Sequence, residues 1–413
     1  MKLIHLHERS NIIEPLFIEI LGQKVAYVCQ TTPSLAHKAP LIILGGAFEG
    51  VESLDYELNQ IAKDMPVYLV DLPGLGSNLE SSHDIDYAQY SRILKAFLDG
   101  QGIDKCSIAA LSYTSSIGYF FASQFPDRIL KLMIGGITKK LRESVSVTLE
   151  ESINLLTIDH KERFASSVAL NLMNFSQRHN VSKSEDLKEN LYQSLIGLSS
   201  AEKEKFKTMN ARLMDAENLP RAPQCPVLIV GAEFDNFMTP YECYEVANSC
   251  PDSTFVVIQG ADHLVSLEKK DVLVRLYRRF MADQPLNRMK DIEVFQRSEF
   301  PRERIRMEPR WLLNDVGYLD SGNGVFVPIN IVDINNAGCR LYTSFKDHRS
   351  FRRTNKFLLH LPEEEIKMEV ILFKQADNGH FRGIFQHQTF DSSAKFEGFI
   401  DKVAISCSSA YAA

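Results

Sequence analysis

Six short apolar runs, separated by stretches of helical spacing, constrain this chain more than any other feature. "APLIILGG", "PVYLVDLPG", "KCSIAALS", "ILKLMIGGI", "CPVLIVGA" and "TFVVIQG" are rich in Val, Ile and Leu and carry apolar residues at odd and even positions alike. Successive side chains of a strand point to opposite faces, so such a strand needs cover on both. "LDYELNQIAKDM", "YAQYSRILKAFLDGQG", "YTSSIGYFFASQF", "YECYEVANSC" and "KKDVLVRLYRRFM" place apolar residues three and four apart, as a helix does. The alternation predicts an α/β fold, a parallel sheet between two layers of helices.

The pattern is interrupted twice. From about residue 139 to 223 strands disappear, and "LEESINLLTI", "HKERFASSVALNLMNFSQ", "SEDLKENLYQSLIG" and "SAEKEKFKTMNARLMDA" read as helices. An all-helical insertion between two strands predicts a lid. After "KKDVLVRLYRRFM" comes the polar, Pro-containing "ADQPLNRMKD", a linker placed at 284–291. Beyond it "GVFVPINIVDI", "GCRLYTSF", "KFLLHLP", "IKMEVILFKQ" and "FRGIFQHQTF" alternate with the turn signals "DSGNG", "NNAG" and "ADNG". These predict a small antiparallel β-barrel. A chain of 413 residues exceeds one ordinary core. The expected division is therefore 1–283 for the α/β domain with its lid, then the linker, then 292–413 for the barrel.

Composition narrows the function classes. No apolar run reaches the roughly 18 residues that span a bilayer, and "MKLIHLHERS" lacks a secretory signal, so a cytoplasmic protein without a membrane span is expected. Seven scattered cysteines without a CxxC pair read as free thiols, and no His/Cys spacing predicts a metal site. From Lys290 onward 17 Lys+Arg balance 17 Asp+Glu, while the whole chain carries 46 against 53. The net −7 thus resides in the first part, which argues against a duplex DNA partner.

Several motifs lie where strands of the first part end. "IILGGAFEG" follows one apolar run; "VDLPGLGSN" (Val70 to Asn78) follows the next. "ALSYTSSIGYFFASQFP" takes a strand through Ser112 into a helix, "PVLIVGAEFD" ends on Asp235, and "VIQGADHL" holds His263. This ordered set resembles the α/β-hydrolase family, over about the first 280 residues. The resemblance implies Ser112 as nucleophile, Asp235 as acid and His263 as base, with the backbone N–H groups of Ala47 and Tyr113 as oxyanion donors. A neutral hydroxyl needs a base to take its proton during attack, and the base needs a carboxylate to fix its tautomer. Three positions depart from the family pattern. Ala110 and Thr114 replace the glycines flanking the nucleophile, and Gly45 stands where relatives often carry histidine. Thr114 is expected to crowd the meeting of helix and sheet. Asp262, beside His263, reads as a surface neighbour. Phe164, Leu172, Met173 and Phe175 of the insertion read as core or as the wall of an acyl pocket.

In the second part, "FPRERIRMEPR" gathers Arg302, Arg304, Arg306 and Arg310, and "INIVDINNAGCRL" supplies Asp333-x-Asn335-x-x-Gly338. An arginine cluster ahead of such a motif in a small barrel resembles the PilZ domains. That resemblance, over about residues 295–405, implies cyclic di-GMP as ligand, bound by Arg302, Arg306, Asp333, Asn335 and Gly338. Asn335 stands where the family usually has serine. The spacing Arg-x-x-x-Arg also fits Arg306/Arg310; the register Arg302/Arg306 is preferred because "RMEP" then leads into the first strand. Guanidinium forks suit both phosphate and the O6/N7 edge of guanine. The expected function is an esterase-type serine hydrolase needing no cofactor, with a small acyl or ester substrate and a cyclic di-GMP-responsive barrel. The alternative is a catalytically weak or inactive hydrolase fold that engages a protein partner when the messenger binds.

Overall fold

The computed structural model describes residues 14–79, 85–216, 218–295, 300, 310–322, 324–343, 356–362, 364–376, 379–386 and 389–411. The chain forms two compact units, one of residues 1–141 with 172–305 and one of 142–171 with 306–413.

In the first unit, β1 (Leu16–Ile20), β2 (Gln23–Gln30), β3 (Leu41–Leu44), β4 (Val67–Asp71), β5 (Cys106–Leu111), β6 (Ile129–Gly135), β7 (Val227–Ala232), β8 (Ser253–Ile258) and β9 (Ile292–Phe295) build one sheet. Its order is β1-β2-β4-β3-β5-β6-β7-β8-β9. From β4 to β8 neighbours pair in parallel; β1–β2, β2–β4 and β8–β9 pair antiparallel. The helices in chain order are α1 (Asp55–Ile61), α2 (Tyr87–Gly100), α3 (Tyr113–Gln124), α4 (Glu143–Thr157), α5 (Lys161–Leu172), α6 (Ser184–Ile196), α7 (Ser200–Met214), α8 (Pro240–Ser249), α9 (Val265–Glu268), α10 (Lys270–Met281) and α11 (Phe390–Tyr411).

Alternation within each strand divides the core in two. Ile108, Ala110 and Ile229 meet Tyr90, Phe97, Ile117 and Val246 of α2, α3 and α8. Ala109, Leu111 and Val230 face the other way, toward Leu58, Ile61, Leu273 and Leu276 of α1 and α10. Each large side chain so buried contributes roughly 1.5–3 kcal/mol. The layered α/β architecture read from the sequence is the architecture observed.

The insertion is all-helical, from α4 through α7, but it is divided between the units. Residues 142–171, which hold nearly all of α4 and α5, count with the barrel, and α6 and α7 with the sheet. The expected linker is followed by one more strand of the sheet rather than by the barrel. β9 pairs with β8, and Phe295 is buried with its ring 5.7 Å from that of Phe255. Its apolar residues are covered there, so the first unit extends past 291.

The second unit is a closed barrel of β10 (Trp311–Asp320), β11 (Phe326–Ile334), β12 (Gly338–Tyr342), β13 (Lys356–Leu361), β14 (Ile366–Ala376) and β15 (His380–Gln386), ordered β10-β11-β12-β15-β14-β13. All its pairings are antiparallel. Inward residues such as Ile329, Leu341, Leu359 and Val370 meet Phe396, Phe399 and Ile400 of α11, a helix the sequence reading did not anticipate.

Gly338 opens β12 where the backbones of β12 and β15 approach closely. A Cβ there would lie 2.3 Å from the carbonyl oxygen of Gly383. Gly338→Ala is expected to destabilise the barrel by about 1–3 kcal/mol, as overpacking does. Urea unfolding monitored at Trp311 measures this, and an unchanged midpoint would refute the close approach.

Candidate active site

Ser112 joins β5 to α3 with φ 54° and ψ −122°, left-handed torsions that cost a non-glycine residue about 1–3 kcal/mol. The surroundings hold it there. Ser112 N–H donates to the Gly135 carbonyl at 2.7 Å, and Ser115 Oγ donates to the carbonyls of Gly135 (2.6 Å) and Ala110 (3.1 Å). The sharp turn lifts the Ser112 side chain off the C-terminal edge of the sheet.

Thr114 does not crowd this turn. It is buried, and its hydroxyl donates to the carbonyls of Leu44 (3.0 Å) and Leu111 (3.1 Å). Close packing of helix on strand is supplied one turn later by Gly118, whose absent Cβ would meet Leu132 at 3.3 Å and the Cβ of Ala110 at 3.4 Å. Ala110 is thus accommodated against α3 beside Gly118.

Ser112 Oγ lies 2.8 Å from His263 Nε2, and His263 Nδ1 lies 2.8 Å from Asp235 Oδ2. The three predicted side chains therefore form one chain of hydrogen bonds, from loops after β5, β7 and β8. Asp235 Oδ1 accepts from the backbone N–H groups of Phe237 and Met238, both at 2.8 Å, which fixes the carboxylate plane. Burial pushes the His263 pKa down, but the Asp235 carboxylate outweighs it and leaves the imidazole above its ordinary 6.5. Such an array can take a proton from Ser112 Oγ and hold the resulting imidazolium.

The pocket beside Ser112 is lined by Gly46, Ala47, Phe48, Glu49, His263 and Leu264, among others. Ala47, a predicted oxyanion donor, thus faces the same pocket as the serine, and Tyr113, the other, is the first residue of α3. Glu49 Oε2 accepts from Gly46 N–H at 2.7 Å, so the loop closes on itself. A side chain at Gly45 would collide with the Cβ of Glu49 at 2.9 Å, and this loop therefore has no room for the relatives' histidine. Asp71 of "VDLPGLGSN" accepts from Ser77 N–H and Oγ (both 2.8 Å) and from Val51 N–H (3.1 Å), tying the two loops together.

Several neighbours of the site were misread in the sequence or carry no motif in it. Asp262, expected at the surface, is fully buried. Its Oδ2 accepts from Asn174 N–H (3.0 Å), its Oδ1 from Leu264 N–H (3.2 Å), and its own N–H donates to Glu268 Oε2 (2.7 Å). Burial and the adjacent Asp262 raise the Glu268 carboxyl well above its ordinary pKa. On α7, Arg212 Nη1 donates to Tyr113 Oη (2.8 Å) and Tyr90 Oη (3.0 Å), with the guanidinium 5.1 Å from the Tyr90 ring centre. Lys205 of the same helix donates to the Gly76 carbonyl at 2.9 Å. The adjacency of Asp262 to His263 was a signal; Asn174, Arg212 and Lys205 had none. Phe164, Leu172 and Met173 are buried as core.

Of the residues expected to bind the cyclic dinucleotide, Arg302 and Arg306 lie outside the described residues. Asp333 sits on β11 between two guanidinium groups, Arg310 Nη1 at 2.7 Å and Arg340 Nη2 at 2.9 Å. Asn335 Oδ1 accepts from Gly338 N–H (2.9 Å) and Ala337 N–H (3.1 Å), and its own N–H donates to the Gly338 carbonyl (3.0 Å). Asn335 thus shapes the turn that leads into Gly338. No cluster of His, Cys, Asp and Glu suited to a metal occurs among the described residues, nor is any described helix long and apolar enough to cross a membrane.

The position of His263 yields a pH prediction. General-base function requires neutral imidazole, and Asp235 raises its pKa, so kcat/KM for an ester should rise with pH to a midpoint above 6.5. Asp235→Asn removes the largest of the charges that oppose burial, leaving only Asp262 and Glu49 to act against it, and should move that midpoint down. A pH–rate profile of both proteins checks it; coincident midpoints would contradict the assigned coupling.

Residues 39–270, more than half of the chain, match the family described as alpha/beta hydrolase fold. No curated protein matches by sequence. Among solved structures, an alpha/beta hydrolase enzyme from a Medee basin deep-sea metagenome library is similar with TM-score 0.59 and 16% identity, over 66% of this chain and 98% of that one. A thermophilic esterase from Thermogutta terrifontis gives 0.55 and 19%, over 66% and 99%. A carboxylesterase from Bacillus subtilis gives 0.53 and 17%, over 66% and 92%. The elbow at Ser112, the layered sheet and the family match agree: this chain belongs to the α/β-hydrolase family.

Proposed function

We propose that the protein is a cytoplasmic serine hydrolase of a small ester or related acyl bond, whose activity or partner binding is regulated by cyclic di-GMP at the barrel. The first half of this reading is carried by the unbroken hydrogen-bond chain Ser112–His263–Asp235 beside a pocket. The esterase and carboxylesterase among the similar structures support an ester as the substrate class.

The steps follow from these positions. Ser112 Oγ attacks the carbonyl carbon while His263 Nε2 takes its proton, and Asp235 holds the imidazolium. The carbonyl electrons pass to the oxygen, which the N–H groups of Ala47 and Tyr113 receive. The C–O bond to the leaving alcohol then breaks as His263 returns the proton, giving an acyl-serine. Water repeats the sequence and releases the acid. Ser112→Ala is expected to lower kcat by roughly a thousandfold or more on a panel of short-chain esters. Equal rates in parent and variant would remove catalysis by Ser112.

The second half is supported by charge at one end of β11. One carboxylate, Asp333, stands between Arg310 and Arg340, so these three residues together carry one surplus positive charge, which suits a phosphate diester. Arg302 and Arg306 add to the same sign in sequence. Calorimetric titration with cyclic di-GMP should show binding by the parent and none by Arg302→Ala or Arg306→Ala. Unchanged affinity in those variants refutes the assignment of these two arginines, and no heat with the parent refutes the ligand.

A further inference from the structure

Asn174 lies two residues beyond the end of α5, is almost fully buried, and uses every polar group it has. Its backbone N–H donates to Asp262 Oδ2 at 3.0 Å. Its Nδ2 donates to the Phe234 carbonyl (3.0 Å) and to Asn236 Oδ1 (3.1 Å), and its Oδ1 accepts from Ser176 Oγ (2.7 Å). Phe234 and Asn236 flank Asp235, and Asp262 precedes His263. One asparagine therefore ties the loop of the carboxylate to the loop of the imidazole.

The segment just before it is held in the other unit. There α4 packs on β14, and four charged side chains interlock across α4, α5, β13 and β14. Lys356 Nζ lies 2.6 Å from Glu151 Oε1 and 3.3 Å from Glu369 Oε1; Arg163 pairs directly with Glu369 and lies 3.7 Å from Glu151. Two cations and two anions balance, and the carboxylates are largely buried, so removing one partner strands another in low dielectric. The helix pair and the barrel are thus fastened as one body. From Leu172 to Asn174 the chain can reach only about 7 Å at full extension, too short to absorb a displacement of α5 without moving Asn174.

We propose that Asn174 is a positioning residue through which the helix pair fastened to the barrel sets the alignment of Asp235 with His263. It touches neither serine nor substrate and acts only through the two loops. Its consequence for turnover rests on the hydrolase reading; the alignment itself does not. Coupling of this kind needs two arrangements of the helix pair that differ in how well they seat Asn174.

The test uses the full chain and reads His263 directly, by NMR titration of its ring, beside kcat and KM for a neutral ester. The charged groups facing His263 are Asp235, Asp262 and Glu49, and all stay in place as side chains in the variants. Asn174→Ala keeps the backbone bond to Asp262 but removes the Nδ2 bonds to Phe234 and Asn236 on either side of Asp235, so it should lower the His263 titration midpoint by about half a unit or more as that loop loses its tie. It should also cut kcat about tenfold while KM stays within about twofold, as misalignment of a catalytic group does. Lys356→Met, in the barrel, should move both quantities in the same direction and add nothing further when combined with Asn174→Ala. An unmoved midpoint in Asn174→Ala, or a Lys356→Met effect of equal size in both backgrounds, overturns the proposal. If Asn174→Ala does not fold, Lys356→Met alone decides, and an unmoved His263 overturns it. A parent with the raised midpoint and no turnover of any ester sinks the hydrolase reading and leaves the positioning role standing.

Discussion

The left-handed backbone at Ser112 is the constraint on which the rest of the first unit is arranged. An L-residue avoids those torsions, so neighbours must hold it there. β6 does so through the Gly135 carbonyl, α3 through the Ser115 hydroxyl, and the parallel pairing of β5 with β3 and β6 fixes where the strand ends. The bend also packs against Gly136, whose φ of 63° favours glycine there. Ser112 meets His263 because the strand beneath it is buried on both faces and cannot shift its register without exposing one core to the other's helices.

The departures from the family's usual glycines follow from the same geometry. Thr114 is buried, and its single hydroxyl proton lies within reach of the carbonyls of Leu44 and Leu111 at the ends of β3 and β5. Gly118, one turn on, packs close to Leu132 and Ala110. Substitution at one position of a close packing surface is therefore readable only together with its partner a helical turn away, and a motif read residue by residue misses that pairing.

Much of the site was legible because it is written locally. The strand that precedes Ser112, Asp235 or His263 is continuous with it in sequence, and a parallel sheet brings such strand ends to one edge whatever the intervening length. Asp262 was misread for the opposite reason. Its burial depends on Asn174, Glu268 and Leu264, and only Leu264 and Glu268 are near it in the chain. Arg212 meets Tyr113 and Tyr90 across a hundred residues, and no spacing rule reports that. Likewise β9 looked like the start of the barrel because its four residues carry no mark of partner; the aromatic cluster of Phe255 and Phe295 decides it. The C-terminal α11 was unread because its apolar residues fill a barrel end rather than a sheet face.

The division of the helical insertion between the two units bears on how such a chain can be regulated. An insertion that belonged wholly to the sheet would leave the barrel attached by a single covalent crossing after β9. Instead the chain leaves the sheet near Leu141, returns near Leu172, and leaves again near Ile305, so three crossings connect the units. A tether at one point transmits little, because a flexible segment absorbs rotation. One of the three crossings lies two residues from a buried asparagine bonded to the loops that carry Asp235 and His263. The charge balance of Glu151, Arg163, Lys356 and Glu369 is then a natural place for bias to enter. In such a network the loss of one contact is felt by every other member.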